Sequence, residues 1–130
     1  MPDDDRPKPT PKSVLQKHCQ PCEGGMPTLT GDELDALMPT IPRWSVSNDG
    51  GWIRRKFNFR NFVEAVGLMN EIAALAEREQ HHPDLHLTGY RHMTVELTTH
   101  AIGGLSENDV ILAAKIDQLA DSPGQGSSDR

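Results

Sequence analysis

The stretch WIRRKFNFRNFVEAVGLMNEIAALAEREQHHP, residues 52–83, changes its apolar period once, and that change decides the fold. Up to Phe59 the period is two. Ile53, Arg55, Phe57 and Phe59 alternate with Trp52, Arg54, Lys56 and Asn58, which predicts a strand with a core-directed face and a basic face. From Asn61, a cap with Glu64 behind it, the spacing turns helical through Phe62, Ala65, Val66, Met69, Ile72, Ala73 and Ala76. The helix must stop near His81, because Pro83 drives His82 into extended geometry.

The flanking sequence completes a regular pattern. Before the strand, Asn48-Asp49-Gly50-Gly51 suits a tight hairpin, and its other arm is a short strand around Trp44 to Val46. Further back, Thr30 and Glu33 have capping-box spacing, Leu34, Leu37 and Met38 form one apolar face, and Pro39 ends that helix. After Pro83, strands are expected at Leu85 to Leu87 and at Met93, Val95 and Leu97, joined by a turn at Gly89. Beyond Gly103-Gly104, Ser106 caps a last helix with Leu112, Ala113, Ile116 and Leu119 inside. The order helix-strand-strand-helix-strand-strand-helix, with short connections, predicts an α+β fold: a four-stranded antiparallel sheet with three helices packed on one face.

A chain of 130 residues has room for one such core. Residues 1–26 carry seven of the Pro and Gly punctuators before Met26, too many to offset the entropy of ordering, and are expected to form a mobile extension outside the core. Residues 27–120 form the domain, and 121–130 read as a disordered tail. A formal net charge of −6 repels polyanions, so no direct nucleic-acid partner is expected; the basic strand face of Arg54, Lys56 and Arg60 is the wet side of a sheet. No apolar run is long enough to span a membrane, and three aspartates and three prolines occupy the place of a secretory signal, so a cytoplasmic protein is expected. Cys19-Gln-Pro-Cys22 beside His18 has the spacing of a redox dithiol or of half a zinc site, against the plainer reading of incidental thiols in a tail.

Five of the six histidines lie between His81 and His100. Imidazole titrates nearest neutrality, so grouped histidines can hold a proton donor beside an acceptor; a solvated loop is the plainer alternative. Glu77 stands one helical turn before His81, where it can pair with that ring. His82 should point elsewhere, and His100, beside Thr98 and Thr99, is expected at a sheet edge converging on the same cleft. Asp109 stands at capping distance from Ser106. A metal held by His81, His82 and His100 lacks recognisable ligand spacing, and none is expected.

The run Glu77-x3-His81-His82-Pro83, then Tyr90, His100 and Asp109, with the Thr-His-x-x-Gly-Gly-Leu-Ser-x-x-Asp block from Thr99 to Asp109, resembles the signature of the pterin-4a-carbinolamine dehydratase family. The likeness extends from about Pro27 to Leu119 and implies the same element order in homodimers or homotetramers. It also implies a dehydration without metal or organic cofactor, in which a 4a-hydroxytetrahydropterin such as the tetrahydrobiopterin adduct loses water to give a quinonoid dihydropterin. By that likeness His81, His82, His100 and Asp109 are the catalytic set, and Glu77, Pro83 and Thr99 join the histidines in seating the pterin. His82 and His100 would then be the acid and base, with His81 orienting the substrate and Asp109 positioning an imidazole. Two features depart from the family pattern: the Cys19/Cys22 extension resembles a bacterial and chloroplast branch, and Leu85 and His86 stand where animal members carry aromatic residues. The competing function is a non-catalytic binding or assembly protein on the same fold, such as a Rubisco assembly factor or a dimerisation coactivator.

Overall fold

The computed structural model describes residues 11–19 and 27–121; Cys22 and residues 122–130 lie outside the described residues. The chain runs α1 (Pro11–Leu15), α2 (Gly31–Leu37), β1 (Ser45–Val46), β2 (Ile53–Asn58), α3 (Phe62–Glu79), β3 (Asp84–Thr88), β4 (His92–Leu97) and α4 (Glu107–Asp121). Tight 3-10 turns fill Met38–Thr40 and His100–Ile102. The four strands form one antiparallel sheet in the order β1-β2-β4-β3, so β4 lies in the interior.

The period-two stretch folds as its alternation dictates. Ile53, Arg55 and Phe57 are buried while Arg54, Lys56 and Asn58 are exposed. Across the ladder they oppose Leu97, Val95 and Met93, also buried, so one sheet face is continuous core. Ala65, Leu68, Ile72 and Leu75 of α3 and Val110, Leu112, Ala113 and Ile116 of α4 cover that face. Thr30 closes a complete capping box: its hydroxyl accepts from the Glu33 N–H at 3.1 Å, and Glu33 accepts from the Thr30 N–H at 2.8 Å. Asn61 caps α3 by accepting from the Glu64 N–H at 2.9 Å.

Three local expectations are corrected. The segment before residue 27 was expected outside the core, yet Val14 is 2% exposed and belongs to the hydrophobic cluster. Lys115 donates to the Leu15 carbonyl at 3.2 Å, and Glu79 accepts from the Cys19 N–H at 2.8 Å. An average over a Pro- and Gly-rich window hides one apolar side chain placed where a helix can bury it. The second correction concerns what ends α3. The helix stops near His81 as expected, and what turns the chain there is a left-handed cap at Gln80 (φ 56°, ψ 38°), after which the His81 N–H reaches the Ala76 carbonyl at 3.2 Å. Third, His100 follows β4, an interior strand, and stands at the end of the sheet instead of its lateral edge.

Candidate active site

The end of α3, the segment after β4 and the first turn of α4 meet at Asp109. This carboxylate is fully buried, at 0% exposure, and each oxygen is engaged. Oδ1 stands 2.6 Å from His81 Nε2, and Oδ2 accepts from the Thr99 hydroxyl and the Ser106 N–H, each at 2.9 Å. The Ser106 and Thr99 hydroxyls are also 2.8 Å apart. Ser106 Oγ accepts from the Asn108 N–H at 3.2 Å, so α4 begins with a capped turn whose carboxylate serves His81 as well. A buried carboxylate without such donors would be costly; three donors compensate it and fix the ring plane of His81.

Each element places its residue for a local reason. The left-handed Gln80 turns the chain at the end of α3 and directs His81 inward, where it is 6% exposed. Thr99 is buried at the end of β4, and its backbone bridges to Gly104. Between them the turn His100–Ile102 closes on Gly103, whose φ of 70° favours glycine and whose N–H donates to the His100 carbonyl at 3.2 Å. His100 itself is exposed and sits edge-on to Trp52, with ring centroids 5.6 Å apart.

Glu77 was expected to pair with His81, but it pairs with His82, Oε2 to Nε2 at 2.6 Å. The reason is the left-handed residue between them: it rotates His81 off the helix face that Glu77 occupies. His82 and Glu77 have 59% and 72% exposed side chains, so their ion pair contributes little to stability and leaves the imidazole in contact with solvent. Pro83, half-buried, follows at the start of the edge strand. Direct bonds thus unite His81, Asp109, Thr99 and Ser106. His82 stands next to His81 in the chain and His100 next to Thr99, each exposed.

Two participants were not assigned to the site from sequence. Ser106 was read only as a helix cap, although a carboxylate three residues on can use the same N–H while also holding a side chain. Trp52 is an aromatic residue on the wet side of an alternating strand, a signal that something packs there. Among the described residues, an open concavity of about 300 Å³ lies away from the site beside Leu15, Thr40 and Asp117, and one of about 480 Å³ borders it at Trp52 and runs along Ser47, Arg54 and Glu96.

Residues 27–119 match the family model described as pterin 4 alpha carbinolamine dehydratase. A Methylococcus capsulatus protein is 44% identical over 108 residues, covering 83% of this chain and 94% of its own. A Nitrosospira multiformis protein is 48% identical over 106 residues, covering 82% and 91%. The names of both give pterin-4-alpha-carbinolamine dehydratase as an assumed activity. Among solved structures, a Brucella melitensis protein described as a transcriptional coactivator/pterin dehydratase superposes with a TM-score of 0.68 at 31% identity, over 72% of this chain and 99% of its own. A pterin dehydratase-like protein described as a RuBisCO assembly factor in the alpha-carboxysome shares the fold, with a TM-score of 0.52 at 24% identity over 61% and 90%. With the matched region spanning sheet, helices and the His81–Asp109 centre alike, the chain belongs to the pterin 4 alpha carbinolamine dehydratase family.

Proposed function

We propose that this chain is a hydro-lyase that dehydrates a 4a-hydroxytetrahydropterin, such as the tetrahydrobiopterin adduct, to a quinonoid dihydropterin. The observation that carries the reading is the buried His81–Asp109 pair, braced by Thr99 and Ser106, with exposed imidazoles at His82, next to His81 in the chain, and at His100, next to Thr99. In the reaction the C4a–O bond breaks, the leaving oxygen takes a proton to become water, and N5 gives up its proton. One proton donor and one acceptor therefore suffice at neutral pH.

His82 and His100 fill those two roles. Both rings are accessible, and the Glu77 carboxylate, with Oε2 2.6 Å from His82 Nε2, orients that ring, which we assign as the donor. His100 is then the acceptor, and its edge contact with Trp52 limits the orientations of its ring. His81, held by Asp109, presents a fixed polar edge to the pterin, while Pro83 and Thr99 shape its seat. No step calls on a metal or organic cofactor. The reaction fits a cytoplasmic protein, and we place this chain there as a homodimer or homotetramer. Phe62 and Val63, 53% and 78% exposed on α3, suit an interface between copies.

The test is a phenylalanine hydroxylase reaction supplemented with the purified chain, following decay of the carbinolamine absorbance. Acceleration over buffer is expected, with His82→Ala and His100→Ala each losing about 10²- to 10⁴-fold of it. Absence of acceleration would refute the enzymatic reading, and undiminished rates in both variants would refute the assignment of the two rings. The second reading, a binding partner of a larger protein on this fold, is favoured by the coactivator description of the Brucella melitensis structure. It would be supported by a chain that binds pterin without turning it over.

A further inference from the structure

The solvent face of the sheet carries a second group of chemistry-bearing side chains that the proposed dehydration leaves unused. Asp84 and His86 are two apart on β3 and share one side of it, and Glu96 of β4 stands directly opposite Asp84 in the ladder. All three lie on the side away from the helices, since Leu85, Val95 and Leu97 point the other way. Among the described residues, one ligand atom from each of the three lies within 4.8 Å of the other two.

We propose that Asp84, His86 and Glu96 form a binding site for a divalent first-row transition ion of octahedral preference, such as Ni²⁺ or Co²⁺. The one pair in direct contact fits that geometry. With bonds of about 2.1 Å, cis ligands of an octahedron stand about 3.0 Å apart and trans ligands about 4.2 Å. His86 Nε2 and Glu96 Oε1 are already 3.0 Å apart, so an ion can replace the proton they share without moving either strand. An imidazole nitrogen with two carboxylates selects borderline transition ions over Mg²⁺ and Ca²⁺, which take all-oxygen sites.

The second oxygen of Glu96 is held from behind: Oε2 accepts from Arg54 Nε at 2.7 Å and from Nη2 at 2.6 Å. Arg54 thus orients the carboxylate so that Oε1 faces His86, the outer-shell support that ligating carboxylates commonly have. His86 and Asp84 are exposed, so water can fill the remaining positions and the ion can enter directly.

Titration of the chelator-treated full-length chain with Ni²⁺ by calorimetry tests the site. One ion per chain is expected, with His86→Ala and Glu96→Gln each weakening binding at least about tenfold. Asp84→Asn, which leaves the Arg54 and His86 contacts of Glu96 intact, should weaken it as well. A chain with His18→Ala, Cys19→Ser and Cys22→Ser should bind as before, which separates this site from the N-terminal thiols. Co²⁺ should give the weak visible bands of octahedral coordination. Absence of binding at millimolar Ni²⁺, unaltered binding by folded His86→Ala and Asp84→Asn variants, or the intense spectrum of tetrahedral Co²⁺ would each overturn the proposal.

Discussion

Asp109 is the residue on which structure and proposed chemistry both depend. A carboxylate with no exposed surface is tolerated only because His81, Thr99 and Ser106 all direct hydrogen-bond donors at it. Removing it strands three buried polar groups at once. Asp109→Ala should therefore destabilise the fold by about 2–4 kcal/mol in urea denaturation, beyond any loss of turnover. Thr99→Val removes one donor of the three and should cost about 1–2 kcal/mol by the same measurement. The spacing from Ser106 to Asp109 announced a cap in the sequence. That the same carboxylate reaches His81, 28 positions away, depends on how α3 packs against α4, and local spacing does not contain it.

At the scale of elements, the attachment of α1 rests on Glu79, the last residue of α3. Its buried carboxylate accepts from the Cys19 N–H, lies 3.2 Å from His18 Nδ1 and stands 3.6 Å from Lys115 Nζ. Burial alone would raise its pKa, but these partners outweigh that cost and hold it below the ordinary glutamate value. A carboxyl depressed in the folded state contributes stability above its unfolded pKa and loses it as pH falls through the folded value. Acidification below the ordinary glutamate range should thus release residues 11–19 from the body, seen as faster proteolytic cleavage there. Glu79→Gln should show faster cleavage already at neutral pH, a lower melting temperature, and a smaller change on acidification. The helix α3 itself was readable from its apolar period and its Asn61 cap. Its final turn was not, because Gln80 has no composition cue for a left-handed cap, and the error carried forward to the partner of His81.

Across the whole molecule, a charged pair is built into the core. Arg55 is 2% exposed, its guanidinium lies 4.2 Å over the Phe57 ring, and Nη1 bonds Asp117 of α4. Asp117 also accepts from Trp44 Nε1 at 2.8 Å, so one carboxylate ties the β1 end of the sheet to the last helix. Burial raises its pKa, and the bonds from Trp44 and Arg55 only partly offset that. Asp117→Ala leaves the buried guanidinium uncompensated and should cost about 3–5 kcal/mol by equilibrium unfolding in urea. Replacing Arg55 by Met should cost less, because its Nε and Nη2 have no hydrogen-bond partner among the described residues. The alternation of residues 52–59 had already placed Arg55 on the core side, and only the helix laid over it reveals why a charge is tolerated there. The sequence by itself determined the element order from α2 to α4 and the buried faces of its strands and helices, because periodicity, caps and turns are local and set by covalent geometry. The tertiary structure alone decided that Asp109 serves His81, that Glu77 serves His82 and that Glu79 holds the N-terminal helix. Side-chain partners distant in sequence are fixed by how helices pack on the sheet, and that packing is selected by the burial of the whole apolar surface and not by any one segment.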